Sequence, residues 1–225
     1  RNVFDVLTAV QRPNGYDDEV TLAEMLKASG KNYTTAMFGK GCSTMGRFDE
    51  AGYDVTDEVP GEPGGNGNGH GSYWDVKKKT PFPKNNPKRM HSLSKDSVDF
   101  VNQYAGKQPF FLMVSHYAVH IPHMATREAF LRNKQRWIAE GRDVDKIDDE
   151  NSSVYRDIVY AAMTEELDMN VGALIDALEE KGALANTYII FTSDNGGGHS
   201  ERRKVEGQNR RFNGPLQEGK RSMFE

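Results

Sequence analysis

The sequence predicts an α/β fold, a largely parallel sheet sandwiched by helices. Three observations predict it. Helical and strand periods alternate along the chain as helix, strand, loop, helix, strand, long helix, strand, the pattern of βαβ units. The run Pro109-Phe110-Phe111-Leu112-Met113-Val114-Ser115 is apolar without alternation, which suits a strand buried on both faces of a parallel sheet. Tyr188-Ile189-Ile190-Phe191-Thr192-Ser193 reads as a second short buried strand, and it runs directly into Asp194-Asn195-Gly196-Gly197-Gly198.

The elements follow in order. Thr21 to Ser29 places Leu22, Met25 and Leu26 on one helical face. Thr21 is the expected N-cap, Glu24 completes a capping box, and Gly30 closes the helix. Tyr33 to Phe38 is a strand that ends in Gly39-Lys40-Gly41. Pro60 to Gly71 is a loop rich in glycine and asparagine, and the basic, proline-broken stretch Lys77 to Lys88 continues it. Ser94 to Tyr104 returns to helical spacing through Val98, Phe100 and Val101, with Ser94 as the expected cap. Val154 to Lys181 is one long amphipathic helix with Ile158, Ala161, Ala162, Leu167, Val171, Leu174, Ile175 and Leu178 as its stripe, and Gly182 ends it. No internal repeat is present.

Bulk properties narrow the classes. The chain has 225 residues, enough for one large domain with a sizeable core. Its mean hydropathy of -0.73 is polar for a globular enzyme, with the polarity concentrated in roughly 60–88 and 198–217. A net charge of -4 argues against a general nucleic-acid binder. The single cysteine, Cys42, excludes an internal disulfide framework and a cysteine-rich zinc site. No apolar run approaches the ~20 residues of a membrane span. The chain opens at Arg1 without a methionine and reads as an internal piece of a longer protein.

The chemistry is expected at the strand ends. Ligands in open α/β sheets bind at the carboxyl ends of the strands. Lys40 and Cys42 follow the first strand, His116 and His120 the second, and Asp194 and Asn195 the third. Lys220 follows in Glu218-Gly219-Lys220-Arg221-Ser222. Asp194 and Asn195 are adjacent oxygen donors for a hard cation. The lysines suit an oxyanion, and a histidine suits proton transfer to a leaving group. Taken singly, each has a plainer reading: a turn for Asp194-Asn195-Gly196, solvated lysines, a loop histidine at His120, and an inert small apolar residue at Cys42. Their convergence on one sheet edge is what points to a metal-assisted oxyanion ester site.

On these residues the chain resembles the sulfatases of the alkaline phosphatase superfamily. Thr21 through Lys27 to Phe38-Gly39-Lys40 resembles the segment leading to the family's first active-site lysine. Pro109 to Leu112 through His120-Ile121-Pro122 resembles the strand and loop that supply its histidine. Tyr160 to Met163 with Leu167-Asp168 and Val171-Gly172 resembles its long helix, and Phe191 to Gly197 its metal-ligand motif. Pro215-Leu216, Gly219-Lys220 and Phe224-Glu225 resemble the segment of its second lysine.

The resemblance implies an alkaline-phosphatase-like fold, incomplete here, with residues 1–225 as part of a sulfatase catalytic domain carrying a long loop at about 60–90. It implies release of inorganic sulfate from a small-molecule or glycan sulfate ester. Asp194 and Asn195 would be Ca²⁺ ligands, Lys40 and Lys220 would hold the sulfate oxygens, and His120 would serve near the leaving-group oxygen. The family's nucleophile is a formylglycine made within a Cys/Ser-x-Pro-x-Arg motif. That motif and the paired aspartates completing the calcium site are absent from these 225 residues and are expected upstream, so this stretch alone is expected to be inactive. Cys42 stands where the family commonly has a histidine. A periplasmic or secreted location follows from the resemblance, whereas oligomeric state does not. A phosphate or phosphonate ester hydrolase of the same superfamily and a non-catalytic relative stay open as alternatives.

Overall fold

The computed structural model describes residues 20–41, 48–57 and 86–197, with the backbone of 203–205 and 208–210. It divides into two units, residues 18–186 and residues 1–17 with 187–225.

The larger unit holds a parallel sheet of β1 (Thr34–Gly39), β2 (Val55–Thr56) and β3 (Phe110–Ser115), in the order β2-β1-β3. The register runs from Thr34 opposite Phe110 to Gly39 opposite Ser115. Its helices are α1 (Leu22–Ala28), α2 (Met90–Tyr104), α3 (Arg127–Ala139) and α4 (Ser153–Glu180). β1 is central and shows the period of two. Ala36 and Phe38 enter a core with Leu93 and Phe100 of α2, while Met37 joins Ala23 of α1, Phe48 and Tyr53 on the opposite side. Helices therefore cover both faces of β1, as the α/β reading requires. Phe38 meets Phe100 edge-on at 6.2 Å between centroids, a favoured aromatic geometry. α4 packs on α2 through Val101, Ala105, Ala177 and Leu178, and on α3 through Phe130, Tyr155, Ile158 and Ala162.

The capping box of α1 forms as its sequence dictates. Thr21 Oγ1 accepts the Glu24 N–H at 3.1 Å, and the Thr21 N–H donates to Glu24 Oε2 at 2.8 Å. Gly30 takes the left-handed conformation that ends the helix. The long helix starts within a residue of its expected position, with Ser152 accepting the Tyr155 N–H at 3.0 Å. Ile158, Ala162 and Leu178 are buried as expected, and the remaining stripe residues are half-buried.

Three expectations are corrected, and one helix appears that the sequence did not announce. α2 starts at Met90 rather than beside Ser94, because Asn86 Oδ1 accepts the N–H groups of His91 at 2.9 Å and Ser92 at 3.2 Å and caps the first turn. The end of the basic loop is ordered and inward: Pro87–Arg89 is a 3₁₀ turn with all three residues buried. α3 was not anticipated in the sequence: buried Asn133 donates to Glu165 of α4 at 2.6 Å, beside exposed Arg132 at 2.7 Å, so a polar group stands where an apolar stripe would mark a helix. Finally, β3 is half-buried with Met113 41% exposed, at one edge of the described sheet, rather than buried on both faces.

The second unit is described on its own. Tyr188 to Ser193, expected as a buried strand, has no strand geometry, and Tyr188 and Ile190 are 99% and 86% exposed. Apolar character suits a strand, but a strand also needs ladder partners for its backbone groups. Among the described residues no ladder includes this segment. β4 (Arg203–Val205) and β5 (Gln208–Arg210) form a separate antiparallel pair.

Candidate functional site

The carboxyl ends of β1, β2 and β3 lie side by side, and the site is built there. Gly39 ends β1 at φ +101°, where a Cβ would run into the Ser115 carbonyl of β3. Only glycine permits that approach. The Lys40 N–H then donates to Ser115 O at 2.7 Å, so Lys40 leaves β1 locked to the point where β3 delivers His116. The expected convergence of the first two strand ends is therefore present.

Asp57, just past β2, ties the edge together. Its two carboxylate oxygens accept the Gly39 N–H at 3.1 and 3.2 Å. Oδ2 also lies 2.9 Å from Arg89 Nη1 in an ion pair whose side chains are 5% and 8% exposed. Arg89 and its neighbour Lys88 both hold left-handed backbone conformations, φ +55° and +53°. That conformation is strained for residues with side chains. Lys88 is fully buried. Burial, and next the charge of nearby Lys40, pull its ammonium pKa down from 10.5 to about 7. Lys40 at the end of β1 and the Asp57–Arg89 pair tied to Gly39 thus place ionisable groups at this strand edge.

The second strand end carries two histidines. His116 Nδ1 is buried with no hydrogen-bond partner among the described residues, and burial lowers its pKa from 6.5 to about 4, so the ring is neutral near pH 7. The chain then turns through buried Tyr117, whose carbonyl accepts the His120 N–H at 3.0 Å. Buried Met124 anchors the far side of the loop. His120 Nδ1 lies 2.6 Å from Ile121 O. A carbonyl only accepts, so Nδ1 carries a proton in this contact.

Asp194 and Asn195 belong to the second unit. They sit in an exposed turn held by Ser193 Oγ donating to Asn195 O at 2.6 Å and Asn195 Nδ2 donating to Gly196 O at 2.8 Å. Both offer hard oxygen donors, but Ca²⁺ takes about six to eight. Among the described residues no group of three or more His, Cys, Asp or Glu side chains converges as a metal site, so these residues do not complete one. Lys220 and Cys42 lie outside the described residues.

Asp57, Lys88 and Arg89 are the residues that sequence reasoning did not single out. Asp57 follows a two-residue strand too short to register as a period. Lys88 and Arg89 sit at the end of a stretch whose basic composition reads as solvated loop.

Comparison with known proteins identifies the family. The chain is 33% identical over 131 residues to pig (Sus scrofa) N-acetylgalactosamine-6-sulfatase, covering 58% of this chain and 20% of that protein. It is 30% identical over 128 residues to human (Homo sapiens) arylsulfatase D, covering 57% of this chain and 18% of that protein. The chain thus aligns with a fifth or less of the length of these curated relatives. A solved structure, Ps i-CgsB in complex with k-i-k-neocarrahexaose, matches with a TM-score of 0.57 at 24% identity, over 90% of this chain and 44% of that one. That likeness concerns the fold, which is α/β and alkaline-phosphatase-like. The sulfatase family model matches residues 2–224, and the chain belongs to the sulfatase family.

Proposed function

We propose that this chain forms the central part of the catalytic domain of an enzyme that hydrolyses a sulfate ester, small-molecule or glycan, to an alcohol and inorganic sulfate. The observation that carries this reading is the strand edge, where the Lys40 N–H is fixed to Ser115 O at the end of β3 and the Asp57–Arg89 pair is tied to the Gly39 N–H. A sulfate ester presents three peripheral oxygens sharing one negative charge, and ammonium groups at a strand edge neutralise it at short range. Lys40 and Lys220 would hold those oxygens. His120, with its proton on Nδ1, would act through Nε2 near the leaving-group oxygen. Asp194 and Asn195 would contribute two oxygens to a Ca²⁺ site completed by residues outside this chain. The nucleophile would be a formylglycine supplied by an upstream segment.

The test uses the full-length enzyme that contains this chain, matured in a host that makes formylglycine and assayed with calcium. 4-Nitrophenyl sulfate and a panel of sulfated glycans are the substrates, with 4-nitrophenyl phosphate as the competing ester. Hydrolysis of a sulfate ester, with a loss of kcat/KM of at least about a thousandfold in Lys40→Ala and Asp194→Ala, is the expected result on the scale of lost transition-state electrostatics. Absence of turnover on every sulfate ester, or an Asp194→Ala enzyme as active as wild type, would refute it.

A further inference from the structure

The loop that carries His120 runs from the end of β3 to Thr126, the N-cap of α3. Buried Tyr117 fixes its start, and buried Met124 and Ala125 fix its end. Between them the His123 ring lies 5.0 Å from the Tyr160 ring of α4, centroid to centroid. Thr126 supplies only half of a cap. Its Oγ1 accepts the Ala129 N–H at 3.2 Å, whereas its own N–H needs the acceptor that a capping box takes from the side chain at position 129. Ala129 is fully buried and offers none. The acceptor comes from α4 instead. Glu166 Oε2 takes the Thr126 N–H at 3.0 Å, across 40 positions of sequence.

Glu166 is 6% exposed, and a buried carboxylate is costly unless it is paired or hydrogen-bonded. Its other oxygen faces exposed His91 of α2 at 3.7 Å, beyond hydrogen-bond range. One turn along α4, Asn170 Nδ2 donates to the Met90 carbonyl at 2.8 Å. Met90 adjoins Arg89, which pairs with the Asp57 that holds the Gly39 N–H. One stretch of α4 therefore fixes both sides of the strand edge, the Arg89 turn through Asn170 and the His120 loop through Glu166. Resting on the sulfatase reading above, we propose that Glu166 is a positioning residue for His120: as acceptor for the Thr126 N–H it fastens the far end of the loop to α4 and so fixes the imidazole relative to the leaving-group oxygen. The place of its oxygen matters more than its charge, because the group it holds is a neutral backbone N–H. The effect falls on proton transfer. An ester whose leaving alcohol is a weak acid depends on that proton, whereas 4-nitrophenolate leaves with little help.

The experiment uses the full-length enzyme with Glu166→Gln, Glu166→Asp and Glu166→Leu. Glutamine keeps an oxygen at the same reach and removes the charge. Aspartate keeps the charge and draws the oxygen back by one methylene. Leucine removes both. Steady-state kinetics on 4-nitrophenyl sulfate and on an alkyl or glycan sulfate are read beside hydrogen exchange of residues 117–126, followed by mass spectrometry. Glu166→Gln should stay within about threefold of wild type in kcat. Glu166→Asp and Glu166→Leu should lose about tenfold to a hundredfold in kcat on the alkyl or glycan ester, the scale of a misplaced catalytic group, with KM within about threefold. The loss on 4-nitrophenyl sulfate should be smaller, and the loop should exchange faster in these two variants and not in Glu166→Gln. A Glu166→Asp enzyme as active as wild type, a Glu166→Gln enzyme as impaired as Glu166→Leu, or equal losses on both esters would overturn the proposal. Should Glu166→Leu not fold, the Gln and Asp pair decides. An enzyme that hydrolyses no sulfate ester would remove the functional reading alone. Loop exchange would then decide the inference, with faster exchange in Glu166→Asp upholding it and unchanged exchange overturning it.

Discussion

Asp57 carries the arrangement of the strand edge, and its removal gives the sharpest test of that arrangement. Asp57→Ala takes away two things at once. The Gly39 N–H loses its acceptor, which costs about 1–3 kcal/mol for a buried donor. Arg89, 8% exposed, loses its counter-ion, and removal of one partner from a buried pair costs about 3–5 kcal/mol. The two losses share one carboxylate and do not add in full, so the expected destabilisation is about 4–5 kcal/mol. Asp57→Asn keeps an acceptor for Gly39 and should lose about 3 kcal/mol, mostly the charge term. Asp57→Ala with Arg89→Met removes both charges and should recover at least about 2 kcal/mol relative to Asp57→Ala. Urea unfolding followed by circular dichroism reads each change as a shift in midpoint at constant slope. An Asp57→Ala protein within about 1 kcal/mol of wild type would show that the carboxylate does not organise this edge.

Three further outcomes are expected. Gly39→Ala meets the Ser115 carbonyl at a positive φ and should cost about 3 kcal/mol in chemical unfolding, whereas Gly172→Ala, with open space around it inside α4, should stabilise by about 0.5–1 kcal/mol. His116 is neutral when folded, so between its ordinary pKa of 6.5 and its folded value of about 4 the unfolded chain binds more protons and stability falls as pH falls. The full loss is about 3 kcal/mol, and His116→Gln should remove that limb from a plot of stability against pH. Thr21→Ala breaks the capping box and should lower stability by about 1 kcal/mol in the same assay.

What was legible in the sequence is what is decided locally. The capping box of Thr21 and Glu24, the strands ending at Gly39 and Ser115, the start of α4 and the left-handed Gly30 and Gly182 each depend on residues a few positions apart. The placing of Lys40 beside the end of β3 was also legible, because parallel strands align their carboxyl ends and that alone brings distant residues together. What failed was decided by partners elsewhere in the chain. α3 buries Asn133 against Glu165, 32 residues away, so its helical face carries polar groups where a periodicity reading expects apolar ones. Tyr188 to Phe191 has the composition of a buried strand, but composition does not supply the neighbouring strands that its ladder requires. Asp57 shows the same limit at the candidate site: its worth lies in Arg89, 32 positions further along the chain.

Lys88 tests whether this edge was shaped for stability or for charge. A buried lysine whose folded pKa is about 7 and whose unfolded pKa is 10.5 binds fewer protons in the native state, so the native state gains stability as pH rises from about 7 to about 10.5. Below that window the burial penalty is present in full, with about 5 kcal/mol as its upper bound from the shift. Methionine has a similar shape and no charge, so Lys88→Met should stabilise the protein by about 2–4 kcal/mol at pH 6.5, with the difference shrinking toward zero at pH 10.5. Urea midpoints at four pH values read this directly. A variant less stable than wild type at pH 6.5 would mean that Lys88 is held by favourable contacts and belongs to the scaffold. A variant more stable at pH 6.5 would mean that the turn from Asn86 to Met90 sustains two left-handed residues and a destabilising ammonium together. Such a cost is what a functional strand edge retains and what a purely structural one has no reason to keep.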